Sequence, residues 1–402
     1  MMEYKIADHI AAMKPSAIRE IFKVLVDPEV IALSAGSPDS SAYPVKEMAE
    51  VGDEIFANEF VTTLGYGTTE GYTPLREQTK KRLREKYQTG TDDDDVIITT
   101  GGQQTISLFT QTMINKGDVI VCEEPSFIGA LNAFRSFGAQ LKGVPMDDDG
   151  MRMDLLEKVL STTKNVKFIY VIPTFQNPSG RTMTLERRKQ LLALAKKYDV
   201  LILEDNPYFE LRYEGEPVAT VKSMDTEGRV VYAGSYSKVL SPGMRIGFCL
   251  ANKEIINRMV VCKQVSDVHT NMYFQMLVSK YLDKYDLDAH IKEICELHKI
   301  KRDAMLKALE KYVDPRVTFT HPNGGLFIWG ELPEGYDGFK LCQEITKKKV
   351  ACVPGNAFLT DENGVSNGFR LNFSMPSLEN IEIACQRIGE TVAEDRKSTR
   401  LN

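Results

Sequence analysis

Short apolar runs recur along the middle of the chain, separated by longer segments with helical periodicity. The runs cover residues 96–100, 118–123, 140–146, 168–173, 200–205, 230–235 and 245–251. Most are rich in Val and Ile and apolar at consecutive positions, the mark of strands buried on both faces. Between them lie stretches such as 185–198, with apolar residues at helical spacing. This alternation predicts an α/β architecture: a mostly parallel seven-stranded sheet covered by helices on both sides. After residue 270 the pattern changes. Residues 271–312 read as mostly one long helix, with Ile291, Ile294, Leu297, Ile300 and Leu306 close to helical spacing. Strand-like segments at 317–320, 326–329 and 369–373 and a closing helix from about Leu378 complete a smaller α+β domain. The expected organisation is an N-terminal helix and arm (1–45) packing on the small domain, a large domain (46–285) and a small C-terminal domain (286–402). The polar tail AEDRKSTRLN reads as frayed.

Composition narrows the class. A chain of 402 residues, 43% hydrophobic and 26% charged, has enough apolar mass for two packed domains. The net charge of −6 argues against nucleic acid and anionic membrane surfaces as partners. No apolar run approaches the roughly 20 residues of a membrane-spanning helix. The N-terminus, MMEYKIADHI, mixes in charge early and lacks a signal-peptide core, so a cytoplasmic location is expected. The seven cysteines are odd in number and form no CxxC, which favours reduced, mostly buried thiols over a disulfide scaffold.

Three segments carry chemistry. In VIITTGGQQTISLFTQ a strand meets two glycines and a helix start, where free N–H groups can face an anion or simply make a tight turn. In VLILEDNPYFELRY a strand delivers Glu204 and Asp205 to its carboxyl end, where open α/β sheets bind ligands. An acid there suits a metal, a sugar hydroxyl, a cationic ring nitrogen or a loop salt bridge. In GSYSKVLSPGMRIGF, Lys238 follows a buried strand among small and hydroxyl residues, with Arg245 seven positions on. A lysine among apolar walls and cations loses basicity and can form a Schiff base. Ser235 and Arg245 can donate to a phosphate.

These motifs, in this order with QNPSG before them, resemble the class I/II aminotransferases of pyridoxal-phosphate fold type I. The resemblance is closest to the 2-aminoadipate and kynurenine subgroup and runs from about Pro15 to Ser374. It implies an aspartate-aminotransferase-like fold, pyridoxal 5′-phosphate as cofactor and a homodimer with shared active sites. Lys238 would hold the cofactor as a Schiff base and move a proton. Asp205 would pair with the ring nitrogen, and Asn177 and Tyr208 with the ring hydroxyl oxygen. Gly102, Gln103, Ser235, Arg245 and, more weakly, Ser237 would bind the phosphate. Phe127 would stack on the ring, where many relatives carry Tyr. Tyr66 would reach the partner's phosphate. Arg370 would grip the substrate carboxylate, Gly36 would let the N-terminal segment approach the substrate, and Arg19 would meet an acidic substrate side chain. The implied reaction moves the amino group of an aromatic, aliphatic or 2-aminoadipate-like 2-amino acid to a 2-oxo acid such as 2-oxoglutarate, in ping-pong half-reactions. The SAGSPDSSAYP loop departs from the glycine-rich subgroup version, which leaves side-chain preference open.

Other patterns give weaker signals. Residues 364–368 match G-x-S-x-G but lie between TDEN and a strand-like segment, not in a strand–turn–helix. The five histidines show no metal-ligand spacing, with His290 and His298 expected on a solvated or partner-facing helix side. The four aspartates at 92–95 read as a solvated turn. The same scaffold also supports carbon–sulfur β-lyase chemistry. A regulator of this fold would need an additional basic DNA-binding module.

Overall fold

Alternate residues of the central strands face two apolar layers, one on each side of the sheet, which is why those strands read as continuous apolar runs. In the computed structural model, which describes residues 4–11 and 27–399, Phe168 and Tyr170 pack with Ile120, Cys122, Leu203 and Val231 on one face. Their neighbours Ile169 and Val171 pack with Val121, Ile202 and Val230 on the other. A first short strand, β1 (Ile31–Ala32), lies apart from this sheet. The sheet itself is built from β2 (Asp94–Thr99), β3 (Val119–Glu124), β4 (Gln140–Asp147), β5 (Gly150–Met151), β6 (Val166–Val171), β7 (Leu201–Asp205), β8 (Val230–Ser235) and β9 (Gly247–Asn252), in the order β2-β9-β8-β7-β6-β3-β4-β5. Strands β8, β7, β6, β3 and β4 are mutually parallel, and β9 runs antiparallel to both its neighbours. The sheet has eight strands, not seven. The extra one, β5, folds back on the end of β4 for two residues, too short to show a hydropathy period.

A second core belongs to a smaller sheet of β10 (Thr318–Phe319), β11 (Phe327–Glu331), β13 (Val353–Pro354) and β14 (Gly368–Asn372), in the order β10-β11-β14-β13, backed by the Gly338–Lys347 and Leu378–Thr399 helices. Residues 31–33 join it: β1 pairs in parallel with β12 (Val350–Ala351), and Leu33 enters the second core. Residues 271–312 form two helices, Met272–Lys284 and Leu287–Tyr312. The break is chemical. The Asp286 carboxylate accepts the N–H groups of Asp288 and Ala289 and so starts a new helix. The second helix serves both cores, with Leu287, Ile291 and Ile294 in the first and Met305, Ala308 and Leu309 in the other.

Two polar expectations need correction. Asp92 and Asp93 are exposed, but Asp94 is buried with its carboxylate 2.8 Å from Lys222 Nζ, an ion pair that also includes Asp225. His298 is fully buried rather than solvated. Its Nε2 accepts the Asp39 N–H at 3.2 Å, and burial holds its pKa down at about 4. Among the described residues no helix is long and apolar enough to cross a membrane, and no group of His, Cys, Asp and Glu could hold a metal ion.

Candidate active site

The carboxyl ends of β2, β6, β7 and β8 open into one cavity of about 330 Å³. Beyond β2, Gly101 takes φ +76° and starts the Gly102–Met113 helix. A Cβ on Gly101 would come within 2.2 Å of Arg245 Nη2, and one on Gly247 within 2.6 Å of the Gly101 carbonyl carbon. Both glycines are therefore needed for the guanidinium to sit against the helix start. Arg245 itself adopts φ +55°, a left-handed conformation uncommon for a residue with a Cβ. Ser235 ends β8 and accepts the Ser237 N–H at 3.1 Å. The Ser237 hydroxyl is buried and meets no partner among the described residues. Unsatisfied helix N–H groups, a guanidinium and a free hydroxyl make an anion seat.

Asp205 ends β7 and is buried. The Tyr170 hydroxyl donates to its Oδ2 at 2.7 Å. Burial nevertheless pushes the carboxyl pKa up to about 7, against the lowering effects of Tyr170 and Lys238. Lys238 lies in the short turn after β8, and its Nζ donates to the Gly36 carbonyl at 2.6 Å. Burial, reinforced by Arg245 and Arg370, brings its pKa down to about 8.

The loop after β6 is held in place by buried groups. Arg188 donates to the carbonyls of Pro173 and Met183 at 2.7 and 2.9 Å, closing its ends. Glu123 accepts from Ile172 N–H and Gln176. This fixes Asn177, whose Nδ2 donates to the Tyr208 hydroxyl at 3.3 Å and whose Oδ1 accepts from Arg370 Nη1 at 2.9 Å. Arg370 comes from β14 in the small sheet. Its other bond runs to the Ser34 carbonyl, its Nε has no partner, and no acidic side chain bonds it among the described residues. The guanidinium carbon lies 4.2 Å from the centre of the Phe327 ring and 5.3 Å from that of Phe358. Burial lowers its pKa to about 10. A buried guanidinium without an acid is costly, and an incoming carboxylate supplies what it lacks.

Gly36, Gly102, Gln103, Phe127, Asn177, Asp205, Tyr208, Ser235, Ser237, Lys238, Arg245 and Arg370 all line this one cavity. The Gln103 side chain itself is engaged with the Gly129 carbonyl. A Cβ at Gly36 would only touch Phe327 at 3.7 Å, so it is the Gly36 carbonyl, not the lack of a side chain, that meets Lys238. Tyr66 is not in the cavity. It is 93% exposed, with its ring edge on His269. Arg19 lies outside the described residues. Sequence reading missed Tyr170, Ser34, Phe327 and Phe358. A tyrosine inside the apolar run KFIYVIP was a usable signal, because its buried hydroxyl must find a partner.

The residues fit a cationic ring with a phosphate handle: an anion seat at one end, a carboxyl at another, and a lysine of lowered basicity. The comparisons agree. The family model "Aminotransferase class I and II" matches residues 28–388. The chain belongs to the class I and II aminotransferases. It is 43% identical to aromatic-amino-acid aminotransferase 1 of Thermococcus litoralis, over 96% of this chain and 93% of that protein. It is 34% identical to 2-aminoadipate transaminase of Thermus thermophilus, over 94% of each. Its structure superposes with a TM-score of 0.93 and 40% identity on a Pyrococcus horikoshii kynurenine aminotransferase solved with PMP, covering 97% of each chain. The protein is a transaminase of the aspartate-aminotransferase-like fold, and its cofactor is pyridoxal 5′-phosphate.

A titration follows from Lys238. Only a neutral amine attacks a carbonyl, and the folded pKa of about 8 lies below the ordinary lysine value. In this aminotransferase stripped of cofactor, the uptake rate of pyridoxal phosphate should climb with pH through about 8 and level off above it. A rate still climbing steeply toward pH 10 would show that burial does not lower Lys238.

Proposed function

We propose that this aminotransferase moves the amino group of aromatic, aliphatic or 2-aminoadipate-like 2-amino acids to a 2-oxo acid such as 2-oxoglutarate, in the cytoplasm and as a homodimer with shared active sites. The observation that carries the substrate class is Arg370, a buried guanidinium without an acid, lining the same cavity as Lys238. Arg370 receives the α-carboxylate in a two-pronged contact, and Asn177 holds it at the correct angle. The substrate's Cα is thereby presented to Lys238. The Lys238 amine, its basicity lowered by burial, would take the Cα proton and later return one to the product. Asp205 would hold the ring nitrogen protonated, Tyr208 and Asn177 would hold the ring hydroxyl oxygen, and the seat at Gly102, Ser235, Ser237 and Arg245 would anchor the phosphate. When bound, pyridoxal phosphate supplies the electron sink for the Cα electron pair.

Exposed apolar side chains support the dimer. Phe60, Val61, Leu64, Tyr66, Val261, Val265 and Val268 are all exposed, and the Tyr66 ring meets His269. Exposed apolar side chains in such number favour an interaction surface, and the exposed Tyr66 can reach a second copy. The names of the relatives span aromatic, aminoadipate and kynurenine substrates, which supports a broad donor range.

The test is the visible spectrum of the holoenzyme with single amino acids and no acceptor. The expected result is loss of the lysine-bound cofactor band, one equivalent of the matching 2-oxo acid, and return of the band with 2-oxoglutarate. Release of pyruvate and ammonia without an acceptor would replace transamination with β-lyase chemistry.

A further inference from the structure

Two of the seven thiols meet in the small domain, apart from the site above. Cys342 lies on the buried face of the Gly338–Lys347 helix, and Cys352 is the residue between β12 and β13. Both are buried, and the Cys352 thiol donates to the Cys342 sulfur at 3.0 Å. Other cysteines turn elsewhere: Cys249 to Met259, Cys262 to Thr112, Cys295 to the Glu210 carbonyl and Cys385 to the Met305 carbonyl. A disulfide needs sulfurs about 2.05 Å apart, so roughly 1 Å of closure separates this pair from a bond.

We propose that Cys342 and Cys352 are a redox modification site, a dithiol that a peroxide converts into a disulfide clasping the helix to the β12–β13 junction. One sulfur attacks hydrogen peroxide, breaking the O–O bond to give a sulfenic acid and water. The second sulfur displaces the sulfenic oxygen as a second water, forming the S–S bond. Two thiols lose two electrons and two protons, and the peroxide is reduced to two waters. The clasp falls one residue from Val353, which pairs with Arg370 between β13 and β14. Oxidation therefore ties down the strand beside the cavity's carboxylate-facing arginine.

Burial sets the kinetics. Burial and the neighbouring Cys352 keep the Cys342 thiol pKa well above its ordinary value, and the thiolate is the reactive form. The pair should oxidise more slowly than the half-buried Cys262 and Cys295. Once formed, the disulfide should resist brief treatment with reductant for want of access.

The test exposes holoenzyme to hydrogen peroxide, unfolds it in iodoacetamide and maps the peptides by mass. The expected result is a peptide joined through Cys342 and Cys352, loss of alkylation at both residues and recovery of both after prolonged dithiothreitol. The joined enzyme should melt about 3 °C or more higher, and peroxide-treated Cys352→Ala should show no such gain over its own reduced form. Full alkylation of both residues after exposure prolonged well beyond complete oxidation of Cys262 and Cys295 would overturn the site. A joined enzyme that melts no higher than the reduced one would overturn the clasp.

Discussion

Replacing Lys238 by alanine is expected to leave the protein folded and cut turnover by about 10⁴-fold, the upper end for loss of one acid–base group. Borohydride, which fixes a lysine-bound cofactor permanently, should then leave the chain unlabelled. Folding survives because Lys238 contributes little to it. Its ammonium makes one hydrogen bond, to the Gly36 carbonyl, and sits in a buried field made less favourable by Arg245 and Arg370. Removing a charge from such a place relieves a cost. The anion seat is untouched, since Gly102, Ser235 and Arg245 belong to other backbone positions. Cofactor should therefore still bind, without a covalent link. The measurement is peptide mapping after borohydride, beside the visible spectrum. Labelling of the variant at the wild-type yield would remove Lys238 from the reaction.

The legible parts of this molecule are those where one segment states its own purpose. Consecutive apolar residues in β6, β7 and β8 announce burial on both faces, and the strands lie close to where hydropathy places them. Asp205, Ser235 and Lys238 follow directly from those strand ends. Illegible features need two distant segments to meet. The partners of Arg370 are Asn177 and the Ser34 carbonyl, 193 and 336 residues away, and no local pattern encodes them. Asp94 looks like one of four solvated aspartates until Lys222, 128 residues on, buries it. His298 faces inward because the Asp39 backbone arrives there. The break at Asp286 is the exception, a cap signal present in the sequence but masked by apolar periodicity on both sides.

Asp205→Asn should keep cofactor bound and lose roughly three decades of rate. The carboxylate bonds Tyr170 with one oxygen, and an asparagine oxygen can keep that bond, so the backbone and burial stay as they are. What is lost is the negative charge proposed to face the ring nitrogen. An ion pair at about 4 Å with an effective dielectric near 20 is worth roughly 4 kcal/mol. Felt only where the ring takes up the Cα electrons, that is about 10³-fold in rate. Tyr170→Phe separates charge from position. The Tyr170 bond lowers the Asp205 pKa while burial raises it to about 7, so removing the hydroxyl moves the pKa further up. Since the ionised carboxylate is the active form, the acid limb of the kcat/KM profile should shift to higher pH. The deficit on that acid limb, about tenfold for one lost charge-assisted bond, should shrink as pH rises above it. A merely structural defect would lower the whole profile without moving its limb. Near-wild-type turnover in Asp205→Asn would instead show that the ring nitrogen needs no charge partner in this enzyme.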